Sequence, residues 1–125
     1  MKAIILMTIT LLFVSIDVQA QTSTDVLIGT WKLDMSPQNT TDDNFAMMEI
    51  TSVKDNKLKG TFYRQGVKLK NGHINTQTDT IYGALMSGDN SGNYNSSFYY
   101  RDGKLYGTTL AVDRAFLAVW VATKE

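Results

Sequence analysis

The chain has 125 residues, enough for a leader and one domain, and its twelve basic residues balance twelve acidic ones. Without excess positive charge, we expect neither nucleic acid nor an anionic membrane surface as a partner. The sequence contains no cysteine, so packing and sheet closure must stabilise the domain without disulfides.

The first twenty residues have the pattern of a secretory signal peptide. Lys2 precedes a mostly apolar run over residues 3–14, and the small residues Val18 and Ala20 frame a cleavage site. The apolar run is too short to span a bilayer, so a retained membrane anchor is the lesser alternative. We predict cleavage after Ala20, no membrane insertion of the remaining chain, and a single secreted or periplasmic domain over residues 21–125.

Eight short runs rich in β-branched and aromatic residues follow the leader, and turn residues separate them. No segment beyond the leader has the 3.6-residue apolar period of an amphipathic helix. The predicted strands cover residues 26–34, 46–54, 57–64, 68–76, 80–87, 94–101, 104–112 and 116–124. The fourth is the weakest, because Asn71-Gly72 inside it is itself a hairpin-turn dipeptide and can split the strand in two.

The connections between these strands predict how the strands pair. Asp55-Asn56, Gln65-Gly66 and Asp102-Gly103 supply residues for tight turns, whereas residues 36–44 and 87–93 form longer polar loops. Short connections make chain neighbours antiparallel neighbours in space. We therefore predict an all-β fold, an eight-stranded antiparallel up-and-down barrel, closed by pairing of the first and last strands.

One hairpin predicts its own register. A two-residue turn at 102–103 sets the ring of Phe98 over Gly107, a common way of covering glycine in a sheet. A second two-residue turn at 113–114 would set Trp120 against Gly107 on that same face.

The last strand, residues 116–124, is apolar at both odd and even positions. A strand with one face in water should alternate, so a continuous apolar run indicates that both faces are covered. No helix is predicted that could cover the outer face. We therefore expect a homo-oligomer that associates through the last strands.

Gly29 and Trp31 on the first strand, with Lys124 at the end of the last, resemble a motif of the calycin superfamily. That superfamily contains lipocalins, fatty-acid-binding proteins and avidins. The resemblance implies that Trp31 plugs one end of the barrel while Lys124 lies across it. A cation on an indole face adds on the order of 1 kcal/mol.

Among these families, an eight-stranded plan without helices is most similar to avidin. The positions that match avidin's biotin contacts are apolar in this chain: Leu33, Phe62, Leu110 and Trp120. A buried polar ligand group loses about 1–3 kcal/mol for each missing hydrogen bond. The resemblance therefore implies a shared architecture without tight biotin binding.

The residue types needed for catalysis or metal binding are scarce. His73 is the only histidine, and with no cysteine it lacks partners for a metal site or a nucleophilic triad. Asp42, Asp43 and Asp89 lie in predicted polar loops, where carboxylates are usually solvated. We expect no metal and no cofactor, and a binding protein; an enzyme that uses lumen residues is the least favoured alternative.

An eight-stranded barrel can hold one small ligand if its inward side chains leave room. Small residues beside aromatic ones, such as Gly83, Ala84, Ser97 and Gly107, indicate such a cavity. We expect an exported barrel that binds a small apolar or amphipathic molecule. Its predicted binding residues are Trp31 at the closed end and Phe62, Arg64, Tyr82, Tyr99 and Trp120 along the lining. The alternative is a protein-interaction or inhibitor module with a solid barrel, acting through the loops at residues 36–44 and 87–93.

Overall fold

The computed structural model describes residues 23–90 and 92–125, which form eight antiparallel strands in one closed barrel. The strands are β1 (Gly29–Asp34), β2 (Phe45–Lys54), β3 (Lys57–Thr61), β4 (Lys70–Asn75), β5 (Tyr82–Asp89), β6 (Gly92–Arg101), β7 (Lys104–Ala111) and β8 (Phe116–Lys124). Each pairs with its chain neighbours, and β8 pairs with β1. The predicted fold class is confirmed. The predicted signal peptide and its cleavage site lie outside the described residues.

Two of the predicted tight turns have the geometry that twisted hairpins require. Asp55 and Asn56 both have positive φ, at 52° and 60°, and so do Asp102 and Gly103, at 49° and 80°. Positive φ at both central residues matches the right-handed twist of the flanking strands. The turn dipeptides in the sequence therefore predict these two hairpins correctly.

The Asn71-Gly72 pair does not split the fourth strand. Asn71 has a φ of 49°, and the pairing of β4 with β5 shifts between Lys70 and His73, as at a β-bulge. An added Cβ at Gly72 would lie 2.7 Å from the backbone oxygen of Leu58. The glycine is therefore needed for close approach to β3, and the strand remains whole.

Two connections, the one between β5 and β6 and the one between β7 and β8, differ from the prediction. The polar loop predicted at residues 87–93 is mostly strand, because β5 continues to Asp89 and pairs there with Gly92. Backbone pairing does not require apolar side chains, so the ladder extends into this polar stretch. The last connection is a 3-10 turn, Val112–Arg114, followed by Ala115 at positive φ rather than a two-residue turn.

The predicted register between β7 and β8 is unchanged by this longer turn. Phe98 pairs with Gly107, and Gly107 pairs with Trp120. A four-residue connection leaves the inward and outward alternation of β7 and β8 as a two-residue turn would. Both predicted hairpin registers are therefore confirmed.

Alternate residues of each strand point into the barrel and form the hydrophobic core. Its buried members are Leu27, Trp31, Leu33, Met48, Ile50, Leu58, Phe62, Ile74, Ile81, Leu85, Phe98, Leu105, Trp120 and Ala122. The start of β1 and the end of β8 lie at one end of the barrel, here called the closed end. The connections at residues 35–44, 62–69 and 112–115 lie at the opposite end, here called the mouth, and so does the end of β5 at Asp89.

Candidate functional site

The closed end is sealed by Trp31 and Lys124, the two residues that the calycin-like motif predicts to be in contact. Trp31 is 1% exposed, and its Nε1 donates a hydrogen bond to the backbone oxygen of Leu27 at 2.8 Å. Lys124 lies opposite Trp31 in the β1–β8 ladder, with its Nζ 5.5 Å from the indole ring. That ammonium also donates to the backbone oxygen of Val26 at 2.9 Å. Every polar group named here has a partner, so this end serves stability.

The middle of the lumen is filled by aromatic rings. Phe62 lies 6.2 Å from Trp120 between ring centroids, and Phe98 lies 6.4 Å from Trp120. A Cβ added at Gly83 would lie 2.3 Å from the Phe98 ring, and one at Gly107 would lie 2.3 Å from the Trp120 ring. These glycines therefore admit the two rings, and the expected cavity is not formed beside them.

A layer of buried polar groups, three hydroxyls and the indole nitrogen of Trp120, lies on the mouth side of the Phe98 ring. Ser96 Oγ and Thr109 Oγ1 are 2.8 Å apart, and Trp120 Nε1 donates to Thr109 Oγ1 at 2.9 Å. Ser87 is 3% exposed, and its Oγ has no hydrogen-bond partner among the described residues. An unsatisfied buried hydroxyl costs about 1–3 kcal/mol. These four side chains, here called the hydroxyl layer, come from four adjacent strands, β5 to β8.

Polar and aromatic side chains cover the hydroxyl layer at the mouth. Tyr63 donates its hydroxyl proton to Asp89, and Arg64 Nη2 lies 2.5 Å from the same carboxylate. The Tyr63 ring is 5.2 Å from that of Tyr94, which is the cross-strand neighbour of Ser87. Asp89 was expected in a solvated loop, but it ends β5 and its side chain is only 11% exposed. The pairing extension described above brings it into the mouth.

Tyr63 is held in an unfavourable backbone conformation. Its φ is 58°, in the left-handed region that a bulky side chain rarely adopts. Such a conformation costs on the order of 1–3 kcal/mol and persists only where surrounding contacts enforce it. The side-chain contacts with Asp89 and Tyr94 and a backbone hydrogen bond from Met47 N to the Tyr63 carbonyl oxygen, at 3.2 Å, hold the residue in place. The cover over the hydroxyl layer is therefore strained.

A second concave surface lies outside the barrel, mainly over β5–β8, with His73 and Asn75 of β4 also on its lining. It is a trough of about 800 Å³ whose walls include Tyr82, Tyr99, Tyr106 and Val121. Its floor is a row of smaller side chains that includes Ala84, Ser97 and Thr108. Ala84 and Ser97 are small residues that the sequence suggests as room for a ligand in the lumen. The hollow they leave is on the outer face.

Four of the predicted binding residues lie in or at the ends of the lumen. Trp31 seals the closed end, and Phe62 and Trp120 fill the middle. Arg64 lies at the mouth, where its side chain is 61% exposed. Of the other avidin-matched positions, Leu110 lies on the outer face.

Tyr82 and Tyr99 do not line the lumen, contrary to the prediction. They are 49% and 37% exposed on the outer face, while their chain neighbours Gly83 and Phe98 point inward. In the predicted hairpin register, Tyr99 already lies on one face of the sheet, while Phe98 and Trp120 lie on the other face. Aromatic character alone did not reveal the side of the sheet, because both faces of this hairpin carry rings.

The sequence contained a signal for the hydroxyl layer that the prediction did not use. Residues two apart on a strand share a face. Once Phe98 and Gly107 are assigned inward, Ser96 and Thr109 must also point inward. Tyr63 offered no such signal, because its role depends on a loop that reaches across to Asp89.

Comparisons of the chain with protein-family models, with curated proteins and with solved structures find no significant match. The closed eight-stranded barrel is compatible with a calycin-like fold. In residues 23–90 and 92–125, no helix is long and apolar enough to cross a membrane. Within the same part of the chain, no group of three or more His, Asp or Glu side chains could hold a metal ion.

Proposed function

We propose that this protein is an exported binding barrel that takes a small amphipathic molecule in the mouth half of its lumen. The observation that carries the proposal is the buried Ser87 hydroxyl, which has no hydrogen-bond partner among the described residues and lies one inward row nearer the mouth than the Ser96–Thr109–Trp120 hydrogen bonds. Buried polar groups are normally satisfied, and an exception calls for an explanation. A ligand's polar group would satisfy Ser87.

The chemistry of the hydroxyl layer limits the ligand. Serine and threonine hydroxyls both donate and accept, and none of the four side chains in the layer carries a charge. Burying a charged group there would cost far more than burying a neutral one. We therefore propose a ligand with a neutral polar end, such as an amide or alcohol. Its apolar body would rest against Tyr63, Tyr94 and the rim of the mouth.

Access to the layer requires a movement of its cover. Ser87 Oγ is buried, so the ligand must displace Tyr63 from its contacts with Asp89 and Tyr94. The strained φ of Tyr63 supports this step, because release of the side chain lets the backbone relax. Arg64, which is largely exposed, moves with the same loop.

The proposal also includes a resemblance to a particular family of barrels. The seal formed by Trp31 and Lys124, together with the helix-poor eight-stranded plan, supports a calycin barrel closest to avidin. The positions matched to biotin contacts remain apolar in this chain, so we propose a ligand other than biotin. Export of the domain rests on the sequence of residues 1–20 alone.

The proposal is tested by native mass spectrometry of protein purified from its source, and by calorimetry with cyclohexanecarboxamide as a neutral amphipathic probe. We expect a retained small molecule, and we expect Ser87→Ala to weaken probe binding about fivefold, the equivalent of one hydrogen bond. Ser97→Ala is the matched control, because Ser97 lies on the outer face of β6. The absence of both a retained molecule and probe binding would refute the proposal, as would an equal loss in both variants.

One observation favours a second candidate, a solid barrel that acts through its surface. The rings of Phe62, Phe98 and Trp120 fill the middle of the lumen. Of the two loops predicted for this role, residues 87–93 are mostly strand, whereas residues 36–44 remain a loop. The surfaces available to such a module are therefore the 36–44 loop and the outer face of the sheet.

A further inference from the structure

The outer face of β5–β8 differs from an ordinary solvated surface in its composition. The registers of these strands align its outward residues in three rows. The first row is Tyr82, Tyr99, Tyr106 and Val121; the second is Ala84, Ser97, Thr108 and Val119; the third is Met86, Asn95, Leu110 and Leu117. None of these residues is charged. The three rows are here called the uncharged face.

We propose that the uncharged face binds a second copy of this chain and forms a dimer with twofold symmetry. In such an interface, residues near the axis meet their own counterparts in the partner. A charged residue there would face the same charge, which is strongly unfavourable. A face without charge over three rows can meet its own copy without that penalty.

The shape of the uncharged face is complementary to the same face of a second copy. The second row contains small side chains and forms the floor of the 800 Å³ trough, while the first row carries three tyrosines and forms a ridge. A twofold axis between the rows places the ridge of each copy in the trough of the other. Sheets that pack face to face lie about 10 Å apart with interdigitated side chains.

The size of the face fits a stable dimer. Strands about 4.8 Å apart and three rows of outward residues about 6.6 Å apart give a four-stranded face of about 400 Å² in projection. Its accessible area is larger, because the side chains project from the sheet. A standard interface buries about 800 Å² from each partner, which is the same order. Val119, 56% exposed, and Leu117, also 56% exposed, would lose most of their contact with water.

A second copy fits this face better than a flat small ligand. The rings of Tyr99 and Tyr106 stack on each other, with centroids 5.3 Å apart and planes 17° apart. Each of the two rings therefore covers one face of the other, which leaves less ring face open to a flat ligand. Ring edges and aliphatic side chains suit packing against another corrugated sheet.

The test is the oligomeric state of the cleaved chain, measured by size-exclusion chromatography with light scattering from 1 to 100 µM. We expect twice the monomer mass for the wild type. Val119→Glu should shift the protein to monomer, because it brings two carboxylates together near the axis. Met47→Glu is the matched control: it also replaces an exposed apolar residue, on the outer face of β2, and should leave the dimer intact.

Cross-linking tests the position of the axis. The chain has no cysteine, so Thr108→Cys provides a single thiol near the proposed axis, and a bismaleimide cross-linker that spans the roughly 10 Å between packed sheets should join two copies. Thr51→Cys on β2 is exposed but should not cross-link. A monomer at 100 µM, or a dimer that Val119→Glu leaves intact, would overturn the inference. The outcome does not depend on the proposed ligand, because the uncharged face lies outside the lumen.

Discussion

The two ends of the barrel differ in how their buried polar groups are satisfied. At the closed end, Trp31 is buried, its indole nitrogen is hydrogen-bonded, and Lys124 covers its ring. At the mouth, Ser87 is buried with no hydrogen-bond partner among the described residues, and Tyr63 holds an unfavourable φ. One end therefore satisfies its polar groups and contributes stability, while the other retains features that reduce it. Features of the second kind are expected where a protein binds something.

The largest effect should come from removing the seal of the closed end. Trp31→Ala should destabilise the domain by about 3–5 kcal/mol, because it leaves a large cavity and an unpaired Leu27 carbonyl. Urea denaturation would measure this. Thr30→Ala, at the exposed neighbouring position, should cost less than about 1 kcal/mol. A loss below 1 kcal/mol for Trp31→Ala would show that the indole does not seal the core.

The rings of Phe62, Phe98 and Trp120 in the middle of the lumen are here called the aromatic centre. A methyl group added against these rings should have the next largest effect on stability. Gly107→Ala places a Cβ 2.3 Å from the Trp120 ring and should cost about 1–3 kcal/mol by overpacking. Gly88→Ala, nearer the mouth, meets chiefly the flexible end of Asn93 and should cost less. Thermal unfolding of both variants compares the two regions. Equal shifts would contradict the tighter packing inferred for the aromatic centre.

Loss of the mouth contacts should have a moderate effect on stability. Asp89→Ala removes the acceptor of Tyr63 and the partner of Arg64, and should cost about 1–2 kcal/mol. Asp43→Ala, at an exposed position of the 35–44 loop, should change stability little. Faster amide exchange in residues 62–69 of the first variant would show that the cover has loosened. Unchanged exchange there would show that Asp89 does not hold Tyr63.

The smallest effect should distinguish the two kinds of buried hydroxyl. Ser87→Ala removes an unpartnered group, so the free domain should keep its stability or gain up to about 1 kcal/mol. Thr109→Val removes the partner of both Ser96 and Trp120 and should cost about 1–2 kcal/mol. Denaturation without ligand measures both. A clear loss with Ser87→Ala would indicate a hydrogen bond that the proposed site does not include.

The features predicted correctly depend on residues close together in the chain. Asp55-Asn56 and Asp102-Gly103 define hairpins because positive φ is a local property, and a hairpin then aligns Phe98 with Gly107. Much of the site could not be predicted in this way. Tyr63 reaches Asp89 across twenty-six positions of the chain, and nothing local to either residue indicates that contact.

By itself, the sequence determined the eight strands and their antiparallel order, because strand period and turn chemistry act over a few residues. The meeting of Trp31 with Lys124 is implied by the resemblance to the calycin motif, and the pairing of β1 with β8 brings it about. Only the tertiary structure decided which face of β5 and β6 is inside. Both faces of these strands carry aromatic and small polar residues, so alternation does not distinguish them. Closure of the barrel turned Tyr82 and Tyr99 outward and buried Ser87, because only one side of a closed sheet can enclose the core.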